Sequence, residues 1–102
     1  MSNRIVRKLL LGFISIHILH HASKEPIYGT WMIEELKHHG YSMSAGTLYP
    51  LLHSMEREGL LSVEERNVEG KIRKYYSLTP PGAAMLSEAR AKAYELFKEI
   101  KE

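Results

Sequence analysis

The sequence predicts a mainly α-helical domain with one small β-hairpin, a winged helix-turn-helix followed by a carboxyl-terminal helix. Three observations predict it. Residues 42–61, SMSAGTLYPLLHSMEREGLL, read as one helix with two unlike faces; residues 60–79 then alternate as strands do; and residues 81–101 return to a helical apolar seam.

A chain of 102 residues is one domain, 1–102, with room for a single modest core. With 44% hydrophobic and 25% charged residues, the chain has ordinary globular composition, which argues against disorder. No cysteine is present, so disulfides, thiolate metal sites and cysteine catalysis are excluded. No apolar run approaches the roughly 20 residues of a membrane span, and no cleavage signal follows the first apolar stretch. A soluble, cytoplasmic protein without a membrane partner is expected. The net charge of +2 says little by itself, but Lys71, Arg73 and Lys74 crowd four positions.

The first helix is expected over residues 4–22, where Ile5, Leu9, Leu10, Phe13, Ile14, Ile18 and Leu19 make an apolar surface wide enough for more than one neighbour. Ser23 to Pro26 breaks it, because a proline disfavours helix at the residue before it. A second helix over 27–39 places Gly29, Met32, Ile33 and Leu36 on one face, with Trp31 and Ile27 on the other side. Gly40 is its left-handed cap, and His38 and His39 suit the negative end of the helix dipole.

The third helix, 44–58, starts at Ser44, whose hydroxyl can accept from a first-turn N–H, and ends at Gly59. Two helices joined by a short link make a helix-turn-helix between residues 27 and 59. The wing, 60–79, consists of β-prone runs Leu60–Arg66 and Lys71–Thr79 joined through Asn67 to Gly70. Alternation puts Ile72, Lys74, Tyr76 and Leu78 on one face and Lys71, Arg73 and Tyr75 on the other, the solvent side. Pro80 and Pro81 end the strand and open the last helix, 81–101, in which Leu86, Ala89, Ala93, Leu96 and Ile100 recur as the seam of a helix packed along another.

At about 100° per residue, Leu48, Leu51, Leu52 and Met55 share the buried side of the third helix, while Gly46, Pro50, His53 and Arg57 share the other. A major groove about 12 Å wide admits such a helix, and Ser44 and Gly46 allow close approach. Thr47, Tyr49, His53, Ser54 and Arg57 can donate to phosphates or base edges, and Lys71, Arg73 and Lys74, with Arg66, can hold phosphates. Taken singly, each is also an ordinary solvated side chain, and Tyr49 could instead pack its ring against the second helix. Pro50 removes a hydrogen bond to Gly46, at about 3 kcal/mol. The missing side chain at Gly46 is expected to let the first turn bend away.

Tyr28-Gly29, Ser44-Ala45-Gly46-Thr47-Leu48-Tyr49-Pro50-Leu51-Leu52, Met55-Glu56-Arg57-Glu58-Gly59-Leu60-Leu61 and Arg73-Lys74-Tyr75-Tyr76-Ser77-Leu78-Thr79-Pro80-Pro81-Gly82 resemble the PadR family of transcriptional regulators in its short form. The likeness covers nearly the whole chain. It implies a homodimeric repressor that reads a palindromic operator in double-stranded DNA, dimerises through its first and last helices, and in many relatives is released by a small aromatic or amphipathic molecule. One departure stands in the second helix, where Thr30 and Trp31 replace the aromatic and acidic pair common after the glycine.

On that resemblance and the seam, the dimer interface is assigned to Phe13, Leu86, Ala89, Ala93, Leu96, Phe97 and Ile100. Phe13, Trp31, Tyr94 and Phe97 could line an effector pocket, although interface packing accounts for them equally well. His17, His20 and His21 include i,i+3 and i,i+4 pairs with metal-ligand spacing, but no third ligand is assured. They read instead as polar helix-end histidines, with no metal and no cofactor. No nucleophile elbow, phosphate loop or H-E-x-x-H motif organises an enzyme. The competing function is a winged-helix protein-interaction module, which would have no need of Arg57 and a basic wing.

Overall fold

The computed structural model describes residues 4–101; the outermost residues of the expected domain, 1–3 and 102, lie outside that range. Its elements run α1 (Arg4–Lys24), α2 (Gly29–His38), α3 (Ala45–Arg57), β1 (Leu61–Val68), β2 (Lys71–Leu78) and α4 (Pro80–Ile100). Four helices and a two-stranded antiparallel hairpin are the winged helix-turn-helix architecture.

One core draws on every element. Ile14, Ile18, Leu19 and Ala22 come from α1, Met32 and Leu36 from α2, Leu48, Leu52 and Met55 from α3, Leu61 and Tyr76 from the hairpin, and Leu86 from α4. Full burial of each large side chain contributes about 1.5–3 kcal/mol before entropy is set against it. The α3 stripe is therefore an anchor that leaves its opposite face free.

Two glycine caps set the angles of the helix-turn-helix. Gly40, at φ 88°, donates to the Lys37 carbonyl while Tyr41 N–H reaches Leu36; Gly59, at φ 82°, donates to Glu56 while Leu60 N–H reaches Met55. Both are Schellman closures, which satisfy the last carbonyls and turn the chain sharply. At the other end of the wing, Thr79 caps α4 by accepting from Gly82 N–H at 3.0 Å, and its hydroxyl donates to the Gly59 carbonyl at 2.5 Å. Pro80 and Pro81 occupy the first helical positions, where a missing N–H costs nothing.

Several expectations are corrected. Ile27 is not helical: it forms an antiparallel bridge with Tyr76, through N–H···O contacts of 2.9 and 2.7 Å, and so fastens the start of α2 to the wing. Pro26 disfavours helix at Glu25, the residue before it, and so separates α1 from that bridge. Ser44 stands at the N-cap of α3, but its hydroxyl lies 3.4 Å from the Thr47 hydroxyl and makes no bond to a backbone N–H. Helix α3 runs unbroken through Pro50, and a Cβ at Gly46 would meet only Ser44 Oγ at 3.7 Å. The proline ring therefore does not depend on that glycine; Gly46 and Pro50 share the exposed face, where water can meet the freed carbonyl.

The wing faces also differ from simple alternation. Ile72 is 64% exposed, whereas Arg73 and Tyr75, expected on the solvent side, are half-buried. The buried residues of the hairpin, Leu61 and Tyr76, lie toward its base, so the apolar face loses its cover toward the tip. Finally, α1 is long and apolar enough, by length and composition, to cross a membrane, contrary to the expectation of no such run. Its carboxyl-terminal half is core in this fold.

Candidate nucleic-acid interface

The free face of α3 is the one the sequence assigned. Gly46, Pro50, His53 and Arg57 are all exposed, opposite buried Leu48, Leu52 and Met55. A groove of about 500 Å³ separates this helix from the wing, with Tyr49 and His53 on one wall, Lys71, Arg73 and Lys74 on the other, and Tyr28, Gly29 and Thr30 at its floor. Five of the expected DNA-facing residues thus line one groove. Ser44 and Thr47 sit apart, lining a hollow with Arg7 and Leu10 of α1, while Gly46, Pro50 and Arg57 lie on the open helix surface.

Tyr49 takes the packing role rather than a free one. It is half-buried, and a Cβ on Gly29 would overlap its ring carbons and hydroxyl. The ring therefore keys α3 onto α2 and holds the exposed face at one angle. Its tip forms the groove wall.

In the wing, a two-residue turn places Glu69 at φ 54° and Gly70 at φ 86°, the left-handed pair that matches the twist of a hairpin. Asn67 Oδ1 accepts from Gly70 N–H at 2.9 Å and steadies the turn. The register sets Arg66 directly opposite Arg73. Like charges facing each other across strands are unfavourable, and here aromatic rings hold both. The Arg66 guanidinium lies 4.2 Å from the Tyr75 centroid, Arg73 lies 4.1 Å from Tyr28, and the two tyrosines meet edge to face at 5.4 Å. Arg66 also pairs with Glu64 at 3.4 Å, and Arg73 donates to the Tyr75 hydroxyl at 3.4 Å. Two oriented guanidiniums on one face can hold an oxyanion; the sequence pattern points weakly to Arg66 and not at all to Tyr28. The alternating period could have paired Arg66 with Arg73, but nothing local signals that Tyr28 would stack beneath.

The expected interface residues separate. Leu86, 6% exposed, belongs to the core of its own chain, and Ala89 is half-buried. From Arg90 onward every residue of α4 is exposed, including Leu96, Phe97 and Ile100. At the other side, Ile5, Val6, Leu9, Leu10 and Phe13 of α1 are exposed as well.

The four residues considered for an effector pocket do not meet. Phe13 and Ala93 line a hollow of about 670 Å³ with His17, His20, His21, Glu35, His39 and Arg90, whereas Trp31 borders a separate small recess beside Pro26. Tyr94 and Phe97 line neither. Trp31 does lie outside the core, with its indole edge-on to His21 at 5.4 Å. His39 leaves the simple role of a helix-end cation: its ring turns back to Glu35 at 3.1 Å and lies tilted against His17, with centroids 4.4 Å apart. Burial first, then the neighbouring imidazoles, lowers the pKa of His17, and burial lowers that of His21 against the opposing pull of Glu35.

Fold and groove together define a winged helix-turn-helix DNA-binding regulator. A family model, described as the transcriptional regulator PadR-like family, matches residues 18–88. The chain is 44% identical over 95 residues, 93% of this chain and 89% of the other, to the transcriptional regulator Rv3488 of Mycobacterium tuberculosis (strain ATCC 25618 / H37Rv). Among solved structures it is similar to a PadR-like transcriptional regulator from Bacillus cereus strain ATCC 14579 (TM-score 0.83, 30% identity, 92% and 93% of the two chains). It is also similar to a PadR family regulator from Eggerthella lenta DSM 2243 (TM-score 0.82, 35% identity, 95% and 86%). The chain belongs to the PadR-like family of transcriptional regulators, and is not an enzyme.

Proposed function

We propose that this regulator is a homodimeric repressor that grips a palindromic operator with α3 and the wing of each subunit. The observation that carries this reading is the groove in which His53 faces Lys71, Arg73 and Lys74 beside the open Gly46–Arg57 face. Side chains on the helix reach base edges while the wing cations hold phosphates, so specificity and affinity come from different elements. Exposed Leu96, Phe97 and Ile100 on α4, together with the exposed amino-terminal half of α1, give the apolar area that a partner subunit would cover. Such a regulator works in the cytoplasm, where the DNA is. A small apolar or aromatic effector would enter the hollow bordered by Phe13 and Ala93, next to the dimerisation helix, and release DNA by changing the spacing of the two reading heads.

Selection of bound sequences from random duplexes tests the reading. A palindrome with half-sites about one helical turn, roughly 34–36 Å, or a multiple of it apart is expected from a symmetric dimer. Enrichment of a lone asymmetric site, or no enrichment, would refute it.

A further inference from the structure

Three imidazoles from two helices converge at the floor of the hollow between α1, α2 and α4. His17 and His21 stand one turn apart on α1, His39 comes from the C-cap of α2, and one ring nitrogen of each lies within 4.8 Å of the others. The Glu35 carboxylate is 3.1 Å from His39 Nε2 and 3.5 Å from His21 Nε2. His21 Nε2 is fully covered and makes no hydrogen bond to any of the described residues, so the cluster contains a buried polar atom with its need unmet.

We propose that His17, His21 and His39 bind one zinc-class divalent transition-metal ion, with Glu35 supplying an oxygen ligand. With no cysteine in the chain, the donors are nitrogen and oxygen, a set that suits Zn²⁺, Co²⁺, Ni²⁺ and Cu²⁺. Zn–N bonds of about 2.0–2.1 Å at tetrahedral angles put ligand atoms about 3.4 Å apart. The carboxylate already stands near that spacing from two rings, and the imidazole nitrogens need to close by about 1.4 Å at most. His39 can supply that movement, because its side chain is 41% exposed while its backbone is held by the cap hydrogen bonds. Sequence spacing revealed only the α1 pair; the third ligand is 18 residues beyond His21 and arrives through the packing of α2 on α1. An ion there ties the last turn of α2 to α1.

The full-length protein, stripped with a chelator, is titrated with Zn²⁺ by calorimetry and with Co²⁺ by visible absorption and by fluorescence. Trp31, the sole tryptophan, lies 5.4 Å from the His21 ring and reports on the site. One ion per chain is expected, with the intense absorption bands of four-coordinate Co²⁺ and quenching of Trp31 that saturates at the same equivalence. His39→Ala and His17→Ala should each weaken Zn²⁺ binding at least about 100-fold, and Glu35→Gln about 10–100-fold, whereas His38→Ala and His20→Ala should change it by less than about threefold. Exposed His39 can be removed without disturbing the core, so that variant decides the matter even if His17→Ala folds poorly. Unchanged affinity in His39→Ala, or an equal loss in His38→Ala, would overturn the site and leave the rings as a stacked aromatic cluster. No DNA enters the measurement, so it succeeds or fails independently of the operator reading.

Discussion

Tyr49 lies across Gly29, with its ring where the first residue of α2 has no side chain. The contact sets the angle between the two helices of the helix-turn-helix, and it joins the packing of the domain to the posture of its exposed α3 face. Gly29→Ala should therefore cost about 1–3 kcal/mol, the usual range for overpacking, and also weaken DNA binding. Denaturant unfolding and a duplex-binding titration on the same sample measure the two effects; an unchanged midpoint would show that Tyr49 yields freely.

Gly82 presents a comparable constraint with a harder neighbour. A Cβ there would overlap the Leu60 carbonyl oxygen and come within 2.8 Å of Leu78 Cδ1. Helix propensity alone predicts a gain of up to about 1 kcal/mol for alanine, but backbone cannot move aside as a side chain can, and we expect a net loss of about 1–3 kcal/mol for Gly82→Ala. Gly12, in α1 with nothing within 4 Å of its missing Cβ, should show the propensity gain instead. Thermal melts of the two variants should move in opposite directions.

Tyr76 is 1% exposed, and its hydroxyl has no hydrogen-bond partner among the described residues. Burial pushes its phenol pKa upward, which keeps the side chain neutral. Tyr76→Phe removes an unmet polar atom and preserves the ring, so stability should hold or rise by up to about 1 kcal/mol. A loss greater than that, read from the denaturant midpoint, would reveal a water or partner bonded to the hydroxyl.

Arg57 and Lys71 should separate readout from grip. Arg57→Ala should cost about 1–3 kcal/mol on the preferred duplex and flatten the difference between duplexes. Lys71→Ala should weaken all duplexes alike and reduce the slope of log K against log salt by about 0.9. Titrations at several salt concentrations on matched and scrambled duplexes distinguish the two, and identical behaviour would mean that helix and wing do not divide the labour.

Phe97, 59% exposed on the free half of α4, should matter only to assembly. Phe97→Glu is expected to shift sedimentation toward the monomer while helical circular dichroism stays at the parent value, since burying an unpaired carboxylate in an apolar interface is strongly unfavourable. A parental sedimentation profile would move the interface off this segment.

The element order, the Leu48–Leu52–Met55 anchor, both glycine caps and the exposed Gly46, Pro50, His53 and Arg57 face were legible in the chain, because each depends on periodicity or on local backbone geometry. These are short-range properties, and a helix displays them whatever it packs against. Ile27 was misread for the complementary reason: its bridge to Tyr76 spans 49 positions of sequence and overrides the local helical pattern. The same limit applies to the sites. Alternation along β2 could not say that Tyr28 would stack under Arg73, that Leu86 would be buried in the core of its own chain, or that His39 would swing back to His17 and His21. The sequence by itself determined which faces exist and what chemistry each carries. Only the tertiary structure decided which faces meet, because side chains distant along the chain acquire their neighbours from packing.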